Sequence, residues 1–78
     1  MQPINIFLCK TKISKENTAT TKQIKYLKAL CNEKGIEFPF SSLLESKKHL
    51  NKYEASKAIH EIVENGNSIL FIYPKEME

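Results

Sequence analysis

The chain predicts an α+β fold in the order strand, helix, short helix, helix, strand. Three helices are expected to pack on a small sheet formed by the terminal strands. Three observations carry this. Apolar, β-rich runs stand at both ends, Ile4-Asn5-Ile6-Phe7-Leu8 and Ile69-Leu70-Phe71-Ile72-Tyr73. Between them, apolar residues recur at helical rather than strand spacing. Two helix starts also share one form: Thr20 lies three positions before Gln23, and Asn51 three before Glu54. At that spacing a capping box closes on itself.

Each element follows from local chemistry. The first strand, over 4–9, begins with period-2 alternation and then turns continuously apolar. Lys10 to Asn17 is polar without periodicity and reads as a mobile or extended connector. A helix is expected from Thr21 to about Lys34, with Ile24, Leu27, Leu30 and Cys31 on one face and Gly35 as a left-handed cap. Pro39 argues against a long strand over 36–40, so Phe38 and Phe40 are expected to plug the core from a loop. Ser42 with Glu45 forms a third capping-box pattern, opening a short helix with Leu43 and Leu44. The last helix should run from Lys52 to about Glu64, with Ala55, Ala58, Ile59, Ile62 and Val63 on one face. Asn65-Gly66-Asn67 ends it, and a strand over 68–73 is stopped by Pro74. The chain is thus one small domain, 1–78, with a helical module over 18–65 between its strands.

At 78 residues the core is thin, since a domain this small buries only about 60 % of its unfolded surface. Cys9 sits in an apolar strand-like run and Cys31 on the apolar face of a helix, where a free thiol acts as a small hydrophobe, so two reduced cysteines in a cytoplasmic protein are expected. Neither a signal peptide nor a membrane span is read in the chain. There is no C-x-x-C or Cys/His cluster and no Asp at all, so no metal, no cofactor and no enzymatic activity are expected. Cys31 shares its stripe with Ile24 and Leu27, which argues against a nucleophile paired with His49 or His60.

Charge is uneven. Residues 1–35 hold seven Lys against Glu16 and Glu33, a balance of +5, whereas 36–78 hold five Lys against seven Glu. All twelve basic residues are Lys. Without Arg, bidentate reading of guanine edges is lost and nucleic-acid contacts reduce to point charges on phosphate. The Lys-, Ile- and Asn-rich usage points to an A- and T-rich coding sequence, hence a low-GC bacterium, its phage or a mobile element.

The candidate phosphate-binding residues are Thr20, Thr21, Lys22, Lys25 and Lys28, with Tyr26 as a base-stacking group beside Lys22 and Lys25. A helix N-terminus attracts anions, and Lys in its first turn opposes the dipole by roughly 0.3–1 kcal/mol, a placement that a phosphate would justify. The same residues also read as an ordinary N-cap followed by a solvated lysine face.

The frame Ala19-Thr20-x-Lys22-Gln23-x-x-Tyr26-Leu27-x-x-Leu30, then Gly35, then Leu50-Asn51-Lys52-x-Glu54-Ala55-Ser56-x-x-Ile59 resembles a small helical module of bacterial and phage proteins. That module is often a tail on proteins of DNA metabolism, and its second element commonly reads Leu-Thr-Lys-x-Glu-Ala-Ser. Here Asn51 stands for the Thr and keeps the capping role. The resemblance covers about Thr18 to Val63 and lies outside the terminal strands. It implies a phage or mobile-element setting and an accessory binding role, and it supplies no catalytic residues. Two functions stay open: phosphate contact by the basic half, or binding of a host or phage protein as an inhibitor or modulator of a host enzyme or defence system. A homodimer through Ile69–Tyr73 is a further expectation, because two strands are marginal alone and this one carries no guarding charge.

Overall fold

The computed structural model describes residues 3–9 and 13–73. Lys10 and Lys12 of the basic connector, Pro74 and the tail 75–78 lie outside the described residues. The order is β1 (Ile4–Phe7), α1 (Thr21–Lys34), α2 (Leu43–His49), α3 (Lys52–Val63) and β2 (Ile69–Ile72). The expected α+β architecture is therefore present, with both strands slightly shorter than 4–9 and 68–73.

The two strands pair in parallel, Ile4 opposite Ile69 and Phe7 opposite Ile72. A parallel pair needs a long crossover, and the whole helical layer serves as that crossover. Pairing continues a residue past each strand: Ile4 N donates to Ser68 O (2.9 Å) and Leu8 N to Ile72 O (3.0 Å). The chain then leaves the sheet because Cys9 N donates instead to His49 O, at 2.7 Å.

Local signals set the helix limits. At α1 the box closes in both directions: Gln23 N donates to Thr20 Oγ1 and Thr20 N to Gln23 Oε1, each at 3.0 Å. Gly35 ends the helix at φ 73°, in the left-handed conformation that favours glycine. The other two boxes close only halfway. Ser42 Oγ accepts from Glu45 N (3.1 Å), but the Glu45 carboxylate accepts from Ser41 Oγ. Asn51 Oδ1 accepts from Glu54 N (2.7 Å), while Glu54 Oε1 accepts from Phe7 N in β1, at 3.2 Å. In both cases a different donor claims the carboxylate, and at Glu54 that donor is a strand edge.

Ile6 of β1 and Leu8 just after it, Ile24, Leu27 and Cys31 from α1, and Ala55, Ala58 and Ile62 from α3 make the core, closed by Phe40, Leu50 and Ile69. Helix α3 lies against both strands, α1 packs on α3, and α2 on α1. Phe38 and Phe40 enter from the loop as expected. Phe38 meets Phe40 edge-on at 5.7 Å and Phe71 at 5.8 Å. Val63 departs from expectation: it is 48 % exposed. It follows Ile62 by the roughly 100° step of a helix with 3.6 residues per turn, which carries it off the buried stripe. Leu30 and Ile59 are only partly buried, at the margins of their stripes.

Candidate phosphate-binding site

The start of α1 is positioned by the segment before it: of the mobile or extended connector expected over 10–17, residues 10–12 lie outside the described residues, and residues 14–17 form a turn. Ser14 organises a hydrogen-bonded turn: its carbonyl accepts from Asn17 N (2.9 Å) and Thr18 N (3.1 Å), and also from Thr18 Oγ1 at 3.0 Å. Short polar side chains that bond to nearby backbone favour such turns. From there the chain pairs with the junction of α2 and α3. Thr18 bridges Asn51 in antiparallel sense, Ala19 N donates to Leu50 O, and Lys52 N donates to Asn17 O. The two helix starts of matching form are thereby laced side by side.

A recess of about 770 Å³ opens at this lacing. Thr20 and Thr21 of α1, Lys47 and Lys48 of α2, Lys52 of α3 and Lys15 of the turn line it. Glu16 supplies one opposing charge, and Ile13 and the exposed Leu44 add apolar lining. The capping box occupies the N–H groups of Thr20 and Gln23. Among the described residues this leaves the N–H groups of Thr21 and Lys22 as the open donors of α1's first turn. An open N–H and hydroxyls at a helix start, in a recess also lined by four lysines, suit an oxyanion such as phosphate.

Of the six candidate residues, only Thr20 and Thr21 lie in this recess. Lys25 and Lys28 line a separate hollow of about 680 Å³ with Ile36 and Phe38. Tyr26 lies on another flank, in a groove of about 300 Å³ with Ser56, Ile59 and His60. Lys22 is exposed and borders none of these surfaces. Lysines at 22, 25 and 28 follow i, i+3 spacing along one side of α1, and that side does not border the recess at Thr20. Tyr26 is 47 % exposed and stands one helical turn after Lys22, while Lys25 lines a different recess.

The cations that do line the recess with Thr20 were missed because charge was weighed by chain half. Lys47, Lys48 and Lys52 belong to the half with net negative charge. The signal available was their closeness: three lysines within six positions, spanning the end of one helix and the start of the next. Lys47 and Lys48 are favourable at the C-terminus of α2 on dipole grounds alone, whereas Lys52 at the first position of α3 is not.

Cys9, Cys31 and His49 are held in structural settings, whereas His60 is exposed. Both cysteines are free. Burial pushes the Cys31 thiol up to about 11, which removes thiolate at neutral pH. His49 stacks on Phe40 at 5.9 Å and its Nδ1 sits 2.9 Å from Cys9 O. Asn51 Nδ2 approaches Cys9 Sγ at 3.5 Å. Among the described residues no three His, Cys, Asp or Glu side chains gather to hold a metal. None of the described helices is long and apolar enough to cross a membrane. No family model matches the chain, and neither a curated protein nor a solved structure matches it, so the chemistry is read from its own residues.

Proposed function

We propose that the chain is a non-enzymatic cytoplasmic binding protein of bacterial, phage or mobile-element origin that contacts nucleic-acid phosphates at the start of α1. The observation that carries this reading is that Lys15, Lys47, Lys48 and Lys52 line one recess with Thr20 and Thr21. The likeness of residues 18–63 to a helical module of DNA-metabolism proteins supports the same reading. Lys25 and Lys28 offer a second contact on the neighbouring flank. With no Arg in the chain, binding is weak and insensitive to sequence.

Fluorescence anisotropy on a labelled duplex across a salt series tests it. Log affinity falls with log salt at about 0.9 per phosphate neutralised. Replacing Lys15, Lys47, Lys48 and Lys52 together with Gln flattens the slope by up to about four times that value, while Lys22→Gln leaves it unchanged. An unaltered slope in the fourfold variant, or no binding at low salt, overturns the proposal.

The second reading is a protein-binding modulator of a host enzyme or defence system. It draws on the α1–α3 groove, where Tyr26 and Val63 are each about half exposed. Retention of one polypeptide from a host lysate after nuclease treatment favours this reading; nuclease-sensitive recovery favours the first.

A further inference from the structure

The two edges of the sheet are unlike. Alternate residues of β1 direct their backbone groups towards β2, as Ile4 N to Ser68 O and Leu8 N to Ile72 O show. Phe7 therefore points its N–H outwards, and Glu54 Oε1 closes that edge at 3.2 Å. By the same alternation Ile69, Phe71 and Tyr73 direct their N–H and C=O groups to the outer edge of β2. Those groups have no hydrogen-bond partner among the described residues. An open recess of about 560 Å³ is lined by Ser68 to Phe71 and Tyr73 together with Gly35 to Glu37 of the loop after α1.

The outward face is also uncovered. In the register Asn5 opposite Leu70 and Phe7 opposite Ile72, the face turned from the core carries three apolar residues and one Asn. Phe7 is 52 % and Leu70 49 % exposed. Parallel strands are almost always covered on both faces, and a pair of strands is marginal alone.

We propose that β2 pairs with β2 of a second copy, antiparallel across a two-fold axis at Phe71, to make a four-stranded sheet β1-β2-β2-β1. A second copy supplies an edge of equal length with the same unpaired donors and acceptors. Phe71 then exchanges both backbone hydrogen bonds with Phe71 of the second copy, and Ile69 with its Tyr73. On the outward face Leu70 comes opposite Ile72 of the second copy, an apolar cross-strand pair. Charge permits the approach: neither strand holds a charged residue, and the recess offers one Lys34 against one Glu37. Closure by a two-fold also consumes the open edge, so growth stops at two chains.

Light scattering and sedimentation over a concentration series, with NMR hydrogen exchange on the same full chain, test the proposal. The expected mass is twice the 9.0 kDa of one chain, with the Phe71 and Tyr73 amides protected as strongly as those of Leu70 and Ile72. Leu70→Lys and Ile72→Lys, on the outward face, return the mass to one chain with native circular dichroism. If either variant loses its fold, amide exchange in the parent decides: protection at Phe71 upholds the pairing and free exchange refutes it. A single-chain mass at the highest concentration overturns the proposal. So does a dimer unaffected by both well-folded variants.

Discussion

Replacing Glu54 tests how the first turn of α3 is joined to the sheet. Its side chain is only 7 % exposed; one carboxylate oxygen accepts from Phe7 N, and the other is buried without a partner. Glu54→Ala strands the part-buried Phe7 N–H, and an unsatisfied buried donor costs about 1–3 kcal/mol. The loss of a carboxylate from the first helical turn adds roughly 0.3–1 kcal/mol. Opposing both is relief of the unpartnered oxygen, whose burial is itself unfavourable. The expected net destabilisation is about 1–3 kcal/mol, which at about 4–8 °C per kcal/mol for a domain this small is readily seen in a melt. Glu54→Gln keeps an acceptor for Phe7 N and surrenders mainly the dipole contribution, so it should cost under about 1 kcal/mol. Thermal melts of the three proteins, with hydrogen exchange at Phe7, make the comparison. Equal stability of the Ala and Gln variants, or an unchanged Phe7 exchange rate in Glu54→Ala, would refute the reasoning.

Three further predictions rest on single contacts. Thr20→Ala should cost about 0.5–2 kcal/mol because it removes the Oγ1 that accepts from Gln23 N, leaving only the backbone half of the α1 capping box, and Thr18→Ala, whose hydroxyl serves only the Ser14 turn, should cost less; equal melting temperatures for Thr20→Ala and the parent would count against this start. Cys31, buried and with its thiol pushed up to about 11, should resist alkylation at pH 8 until the chain is unfolded, and half-buried Cys9 should react first; equal labelling rates in the native protein would contradict the packing. Hydrogen bonds from Asn65 and Asn67 hold the Glu61 carboxyl below its ordinary 4.5. That contribution is therefore present above pH 4.5 and is lost as the pH falls through the lower folded value. The Asn65→Ala/Asn67→Ala variant should show a shallower loss of stability on acidification, and identical acid profiles would exclude the contact.

The sequence by itself determined what depends on neighbours along the chain. The limits of α1 follow from Thr20, Gln23 and Gly35, all within a few residues of the ends they define. The inward face of each helix follows from spacing, because a helix has one geometry wherever it packs; Ile24, Leu27 and Cys31 were legible for that reason. Cys31 could be read as inert on the same ground.

Only the tertiary structure decided which distant segments meet. A Glu three positions after Asn51 satisfies a capping box equally well whether or not a strand edge lies within reach; the arrival of Phe7 diverted it. The lacing of residues 17–19 to residues 50–52 brought lysines from both chain halves into one recess with Thr20, while Lys22, Lys25 and Lys28 lie on a side of α1 outside it. Both results have one cause. Hydrogen bonds within a turn are set by short-range dihedral preferences, whereas the address of a surface charge depends on chain reversals whose direction no local pattern encodes.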